Sequence, residues 1–324
     1  MSAQLIVLFC IFLKKKSASE QYSDTGESTL GVLCYFKNER HIINEWLMHY
    51  KKWGADHIWL IDNGSEDDYN IDSFVREGFV TIYHEPNAGQ PKAYRKYIKD
   101  IAKQVHWLAV LDMDEFLYSR RSNNLISQLH QFRNKTAVKI QMKVFRPSTF
   151  LSPRSIIESC VYYKKDSFDH PKCIYNLKKT LNISVHGRSL EGSKTLQANN
   201  SYFEINHYRF HSIEFLYGIK EGRGGGCNRK RYALTARIHE NFMNDLKSSN
   251  YREKDTFLRD HSNEVIQFSH ENIYPPKLQL YPYSSFLKYK KLHPKIFDKW
   301  AKHEKELTEE ELIHILKDFL KLDV

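Results

Sequence analysis

The segment WLAVLDMDEFL, from Trp107 to Leu117, predicts both the fold class and the place where the chemistry occurs. Its first five residues are apolar without interruption, which is typical of a strand buried on both faces of a parallel sheet. Two aspartates, Asp112 and Asp114, follow directly where that strand ends. Because open α/β sheets bind ligands at the carboxyl ends of their strands, we expect a ligand site at these two carboxylates.

Carboxylates two residues apart, on a chain that is leaving a strand, can converge on one divalent cation. Mn2+ or Mg2+ suits such hard oxygen ligands and takes its remaining ligands from water and a diphosphate. An isolated Asp-x-Asp is weak evidence, because the same spacing is common in solvated loops. Its position after a buried strand, and before Glu115, Phe116 and Leu117, favours a cation site.

The chain around this segment alternates between strand and helix patterns. Apolar residues recur at helical spacing from Ile42 to Trp53, and Gly54 follows as a C-terminal cap. A second helix is predicted over 90–104, opening with Pro91. Strands are predicted near residues 31–36, 57–61, 79–83, 107–111, 137–145 and 203–208. This order predicts an α/β fold with a mixed, mostly parallel sheet flanked by helices.

The 324 residues are predicted to form one large domain with additions at both ends. Residues 1–29 are an apolar segment and a polar linker, 30–226 are the α/β domain, and 227–324 are a mostly helical extension packed on it. The apolar run from Leu5 to Leu13 is shorter than the ~20 residues of a membrane-spanning helix. It is either a membrane-associating segment or a packed or disordered tail, which leaves open a cytoplasmic or a membrane-associated or secretory location.

The composition restricts the partners. Lys and Arg number 49 against 39 Asp and Glu, and the resulting formal charge of +10 favours anionic partners. The basic residues are dispersed and no nucleic-acid-binding motif is present, so we expect no nucleic acid partner. Five cysteines without C-x-x-C spacing indicate neither a zinc site nor a disulfide framework.

Several polar motifs occur in order at the predicted strand ends. They are FKNE at 36–39, IDNGS at 61–65, Gln90 and LDMDEFL at 111–117. With His186-Gly187 and Asn206-His207-Tyr208 downstream, they resemble the GT-A nucleotide-sugar glycosyltransferases, most closely glycosyltransferase family 92 and its family 2-like relatives. The resemblance covers Gly31 to about Gly226. It implies a GT-A, Rossmann-like sheet and a metal-dependent, inverting transfer of sugar from a nucleoside diphosphate, expected to be UDP, to a glycan or glycoconjugate hydroxyl.

The resemblance also implies which residues bind the nucleotide-sugar donor. Asp62 and Glu39 are candidates for the base and ribose, and Lys220 and Arg223 for a lid over the diphosphate. Asn63 to Ser65 can alternatively form a simple turn. The full set of donor-binding candidates is Asn38, Glu39, Asp62, Asn63, Gln90, Lys92, Asp112, Lys220 and Arg223.

The metal and the catalytic base follow from the same resemblance. Asp114 is expected to bind Mn2+ or Mg2+ directly, while Asp112 binds it through water or holds the ribose. A histidine from the carboxyl half, His186 or His207, is expected to complete the site. An acceptor hydroxyl needs a carboxylate base in an inverting reaction. The candidates for that base are Asp169, which we prefer, Asp166 and Glu158.

Two other functions are compatible with the same residues. A nucleotide-sugar hydrolase would use water as the acceptor and would release UDP faster than it forms glycoside. A catalytically inactive basic protein would bind anionic glycan or nucleic acid, with binding that weakens steeply with salt and ignores Mn2+ and UDP. The intact Asp-x-Asp argues against the inactive protein.

Overall fold

The computed structural model describes residues 28–145, 153–187, 196–197, 202–209 and 253–273, with side chains at all of these except 165–169 and 196–197. The strands are β1 Leu30–Phe36, β2 His57–Asp62, β3 Val80–His84, β4 Trp107–Val110, β5 Glu115–Tyr118, β6 Ala137–Phe145, β7 Tyr162–Asn176, β8 Leu196–Gln197, β9 Glu204–His207 and β10 Glu253–Lys254. The helices are α1 Ile43–Lys52, α2 Asp72–Arg76, α3 Gln90–Ile101, α4 Leu125–Leu129, α5 Ile156–Ser159, α6 Phe257–Asp260 and α7 Asn263–Asn272.

Four strands, in the order β3-β2-β1-β4, form what we call the parallel half of the sheet. Helices α1, α2 and α3 connect these strands in turn, because parallel neighbours require crossover connections. β1 is buried along its whole length, and apolar clusters cover both faces of the sheet. Trp46 and Tyr50 of α1 pack on one face, while Tyr94 and Ile98 of α3 pack on the other.

The sheet continues from β4 through β7, β6, β9 and β5, which we call the mixed half. β7 is antiparallel to both β4 and β6, whereas β6 and β9 are parallel. The register between β6 and β7 shifts after Ile140 and again after Lys143, as β-bulges do. β7 therefore occupies the centre of the sheet and joins the two halves.

The predicted α/β class, with a mixed sheet flanked by helices, is confirmed. The six predicted strands are present within about one residue of their expected bounds, and the helix predicted over 90–104 ends at Ile101. No strand was predicted between β6 and β9, and here the structure contains the fifteen-residue β7. Its sequence, YYKKDSFDHPKCIYN, interrupts its apolar residues with charges and so has no buried-strand pattern.

The buried face of α1 does more than fill the core. The Trp46 Nε1 and the Tyr50 hydroxyl donate to the carbonyl oxygen of Glu115, at 3.0 and 2.9 Å. His49 Nε2 lies 2.8 Å from the carbonyl oxygen of Leu117, and burial lowers the pKa of His49 to about 3, so its ring is neutral. One helix face therefore fixes the backbone of β5, the strand that follows the two aspartates.

Within the described ranges, no helix combines the length and the apolarity that crossing a bilayer requires. The apolar run at 5–13 and most of the predicted helical extension over 227–324 lie outside the described residues. The division into 1–29, 30–226 and 227–324 stays a prediction. Helix α7, from the third of these segments, packs against α1.

Candidate active site

The candidate site lies at the point where the strand order of the sheet reverses. The chain proceeds from β1 outward to β2 and β3, and then crosses to β4 on the other side of β1. Such a reversal opens a crevice at the carboxyl ends of the two central strands. Asn38 and Glu39 follow β1 at this edge, and Asp112 and Asp114 follow β4, so the motifs predicted to bind the donor meet there.

The carboxylate of Asp112 is held from both sides. Gln90 Nε2 donates to its Oδ1 at 3.2 Å, and the ammonium of Lys172 lies 2.6 Å from its Oδ2. Lys172 also lies 3.0 Å from Glu115 Oε1, and Glu115 Oε2 accepts from the backbone N–H of Asp112 at 3.0 Å. These contacts form a closed ring of Asp112, Lys172 and Glu115. Gln90 is itself held by Tyr94, 2.8 Å away.

The ring contains two charged side chains that are removed from water. Lys172 is fully buried and Glu115 is 1% exposed, whereas the Asp112 side chain is 36% exposed. Burial alone would lower the pKa of Lys172, but attraction to Asp112 and Glu115 raises it above its usual value, so the ammonium stays charged. Burial raises the pKa of Glu115 to about 7, an effect that Lys172 opposes.

Asp114 and His207 form the part of the site that can bind a cation. His207 Nε2 lies 3.6 Å from Asp114 Oδ1, and the ligand atoms of Asp114, Glu115 and His207 all lie within 4.8 Å of one another. The backbone sets this arrangement, because Glu115 pairs with His207 in the β5–β9 ladder and Tyr208 N–H donates to the carbonyl of Asp114 at 2.8 Å. Two carboxylates and an imidazole are a donor set that fits a divalent transition metal such as Mn2+.

Asp62, a candidate for the base or ribose, organises the loop that follows β2. Its Oδ1 accepts from the backbone N–H of Ser65 at 2.7 Å. Its Oδ2 accepts from the Tyr69 hydroxyl at 3.1 Å and lies 3.3 Å from His84 Nδ1. Since Asp62 is 5% exposed and has three protein partners, the structure gives it a clear role in shaping this loop.

Asn38 connects this loop to β1. It is fully buried and has a φ of 54°, a left-handed conformation that asparagine tolerates. Its Oδ1 accepts from the backbone N–H of Glu66 at 2.8 Å, and its own N–H donates to Ser65 Oγ at 2.9 Å. Among the described residues, its Nδ2 has no hydrogen-bond partner. A buried amide donor without a protein partner is a natural contact for a ligand.

The other donor-binding candidates surround these groups. Asn63 Oδ1 accepts from the backbone N–H of Asn87 at 2.8 Å, which supports the turn interpretation of this segment. Glu39 is 5% exposed, with its Oε2 3.8 Å from His41 Nε2. Lys92 is exposed in the first turn of α3. Lys220 and Arg223 lie outside the described residues.

Some predicted residues are not brought into the carboxylate cluster. The His186 ring packs 5.2 Å from the His170 ring, and it is His207 that shares the cation group with Asp114. Glu158 lies on α5, with its Oε2 2.7 Å from His270 Nε2 on α7. Asp166 and Asp169 lie on β7, where the side chains are not described. The assignment of the catalytic base therefore stays a prediction.

Lys172 was not predicted to be a site residue. It lies where no strand was predicted, among other lysines and aspartates, a pattern typical of solvated charges. A signal was present, because Lys172 stands beside CIY at 173–175, a short apolar run typical of a buried strand end. Recognising that run as the partner of β4 would have placed Lys172 opposite the Asp112 motif.

The comparisons with known proteins agree with the motif pattern. The sequence profile of glycosyltransferase family 92 matches residues 32–258, which is more than half of the chain. A glycosyltransferase family 92 protein of Ricinus communis is 21% identical over 194 residues, covering 55% of this chain and 35% of the relative. The chain thus spans about a third of the length of this curated relative.

Two solved structures with distant similarity were determined with nucleotides and Mn2+ bound. GalNAc-T7 with UDP, GalNAc and Mn2+ has a TM-score of 0.41 and 13% identity, covering 86% of this chain and 58% of its own. The mannosyltransferase PcManGT of Pyrobaculum calidifontis, with GDP-Man and Mn2+, has a TM-score of 0.38 and 11% identity, covering 98% and 93%. The family match does not depend on them: this chain belongs to glycosyltransferase family 92.

Proposed function

We propose that this protein transfers a sugar from a nucleoside-diphosphate sugar to a hydroxyl group of a glycan or glycoconjugate, and that a divalent cation is required. The observation that carries the proposal is the meeting of the Asp114–His207 group with the strand-end residues Asn38 and Asp112 at the reversal point of the sheet. Family membership supplies the reaction class. The donor is expected to be a UDP-sugar, and the reaction is expected to be inverting.

Asp114 and His207 would hold the metal ion, with Glu115 behind them. When bound, the ion neutralises the charge that develops on the diphosphate leaving group. The imidazole of His207 favours Mn2+ over Mg2+, because magnesium prefers an all-oxygen environment. Asp114 is 9% exposed, so its carboxylate is shielded from most of the competing water.

Asn38 and Asp112 would bind the nucleotide. The Nδ2 donor of Asn38 suits a carbonyl oxygen of the base, and the exposed part of the Asp112 carboxylate suits a ribose hydroxyl. Asp62 keeps the loop around Asn38 in place through Ser65 and Tyr69. A carboxylate from β7, with Asp169 as the first choice, would then accept the proton of the acceptor hydroxyl.

The test is calorimetric titration of UDP, GDP and their sugar derivatives, each with Mn2+ and again with EDTA. We expect metal-dependent binding of UDP to the wild-type protein and no metal-dependent binding to Asp114→Ala. The matched control is Asp100→Ala, an exposed aspartate on α3 that pairs only with Lys103 among the described residues and should behave as wild type. Equal binding by Asp114→Ala, or no nucleotide binding by the wild type, would contradict the proposal.

A further inference from the structure

Lys172 is a buried cation in a site that is expected to bind another cation. A buried charge is costly unless it is paired, and an ammonium beside a metal site would compete with the metal for the same carboxylates. In this protein Lys172 is fully buried and contacts two of the three carboxylates of the cluster, Asp112 and Glu115. Lys172 therefore influences which of these carboxylates can bind the metal.

The geometry separates Asp112 from the cation group. Asp112 is only two residues from Asp114, yet among the described residues the group that can share a metal consists of Asp114, Glu115 and His207, without Asp112. Both carboxylate oxygens of Asp112 already have partners. Lys172 Nζ donates to Oδ2 at 2.6 Å, and Gln90 Nε2 donates to Oδ1 at 3.2 Å. A divalent ion cannot approach Oδ2 closely while an ammonium is in contact with that oxygen.

The closed ring makes this separation rigid. Lys172 Nζ contacts Glu115 Oε1 at 3.0 Å, and Glu115 Oε2 accepts from the Asp112 N–H at 3.0 Å. Moving Asp112 toward the metal would break both its contact with Lys172 and its contact with Gln90. The three carboxylates carry a formal charge of −3, which Lys172 reduces to −2, the charge that one divalent ion neutralises.

We propose that Lys172 is a positioning residue that keeps Asp112 away from the metal and available to the nucleotide. The proposal rests on the proposed function, because it assumes that a metal and a nucleotide bind at this edge. It explains why a lysine is buried inside β7, where an apolar side chain would pack at lower cost.

The test measures metal and nucleotide binding separately in Lys172→Met, which keeps the length of the side chain and removes its charge. Free Mn2+ is followed by electron paramagnetic resonance without nucleotide, and UDP binding is measured by calorimetry at saturating Mn2+. Loss of one positive charge near the ion, and release of Asp112 as a ligand, should tighten Mn2+ binding on the order of tenfold. Loss of the fixed Asp112 should weaken UDP binding by about tenfold.

Lys143→Met is the matched control. Lys143 also bridges two carboxylates of the mixed half, Glu204 at 2.7 Å and Asp255 at 2.8 Å, but it belongs to a separate cluster. A purely structural lysine, such as Lys143, should show no opposite shift of the two affinities. If Lys172→Met weakens both affinities together, or changes neither, the proposal is overturned.

A second pair of variants covers the case in which Lys172→Met does not fold. Lys172→Met/Glu115→Gln removes the charge of both buried partners and is compared with Glu115→Gln alone. The double variant should bind UDP about tenfold more weakly than the single variant without weaker Mn2+ binding. Equal UDP affinity in the two would overturn the proposal. A wild-type protein that binds neither Mn2+ nor UDP would instead overturn the proposed function.

Discussion

The two halves of the sheet supply the candidate site in different ways. The parallel half presents residues from the loops that follow its strands, such as Asn38 after β1 and Asp112 after β4. The mixed half presents residues from within its strands, Lys172 from β7 and His207 from β9. Strand residues hold fixed positions, and Lys172 also fixes Asp112 of the parallel half. The mixed half therefore sets the geometry of the cation side and of one contact on the nucleotide side.

His207→Ala should produce the largest effect, because it removes the side chain that we propose as the cation ligand of the mixed half. We expect turnover with Mn2+ to fall on the order of 10²-fold, corresponding to about 3 kcal/mol. UDP binding measured at Mn2+ concentrations that saturate the variant should not change, because the nucleotide side is intact. Weaker UDP binding by His207→Ala at saturating Mn2+ would contradict this difference between the halves, and His130→Ala, on a short turn outside the site, is the control.

The hydrogen bonds of Glu45 join a helix of the parallel half to a helix of the mixed half. Glu45 lies on α1 and accepts hydrogen bonds from Ser155 Oγ, Ile156 N–H and Ile157 N–H at the start of α5, at 2.6, 2.8 and 3.2 Å. Burial raises the pKa of Glu45 to about 7, above its value in the unfolded chain, near 4.5. The folded protein therefore retains a proton that the unfolded chain releases, so this stabilisation is complete below pH 4.5 and is lost as the pH rises through 7.

The expected loss is about 3 kcal/mol of unfolding free energy between pH 4.5 and 7, measured as the difference between wild type and Glu45→Gln in urea titrations. Glu264→Gln, an exposed carboxylate on α7, should retain the full wild-type pH dependence. Identical pH profiles for wild type and Glu45→Gln would show that Glu45 is ionised throughout this range.

A glycine-to-alanine substitution should lower the stability of the folded protein by different amounts in the two halves. Gly78 and Gly187 both have left-handed φ angles, +75° and +66°. A Cβ at Gly78 meets nothing within 4 Å, whereas a Cβ at Gly187 would lie 2.5 Å from Cys173 Sγ on β7. Both alanine variants incur backbone strain, but Gly187→Ala should cost about 2 kcal/mol more, because β7 cannot move away. Thermal unfolding checks this, and equal losses would show that the mixed half is not rigid there.

Asn38→Gly should have the smallest effect and should be limited to the nucleotide. Glycine keeps the left-handed backbone and removes the side-chain amide, including the Oδ1 that accepts from Glu66 N–H, so the Kd for UDP should rise about tenfold, or about 1.4 kcal/mol. Mn2+ affinity without nucleotide should not change. Calorimetry with Mn2+ and with UDP measures both affinities. A loss of Mn2+ affinity would show that the nucleotide side and the cation side are not independent.

The parallel half could be predicted from sequence because its signals are local. The apolar run 107–111, the helical spacing from Ile42 to Trp53 and the glycine after it each indicate an element without reference to distant residues. The motif at 112–114 was found for the same reason, since it directly follows a recognisable strand. The His49 and Tyr50 contacts with β5 could not be predicted, because they join residues more than sixty positions apart.

The mixed half could be predicted only in part, because long-range pairing determines it. β6 alternates clearly and was found, whereas β7 contains charged residues along most of its length and is a strand because β4 and β6 enclose it. Lys172 is buried because two carboxylates far along the chain neutralise it, which no local pattern reveals. The role of Asp169, like that of the other base candidates, stays a prediction.

The central claim, that a cation is bound where the two halves meet, is tested most directly by locating the ion. Crystals grown with Mn2+ and UDP would be measured at the manganese absorption edge, where the anomalous difference map shows the metal. We expect one peak in contact with Asp114 and His207, with the UDP diphosphate beside it and Asp112 not coordinating. A peak bound by Asp112 in place of His207, or no peak at this edge of the sheet while UDP is bound, would contradict this expectation.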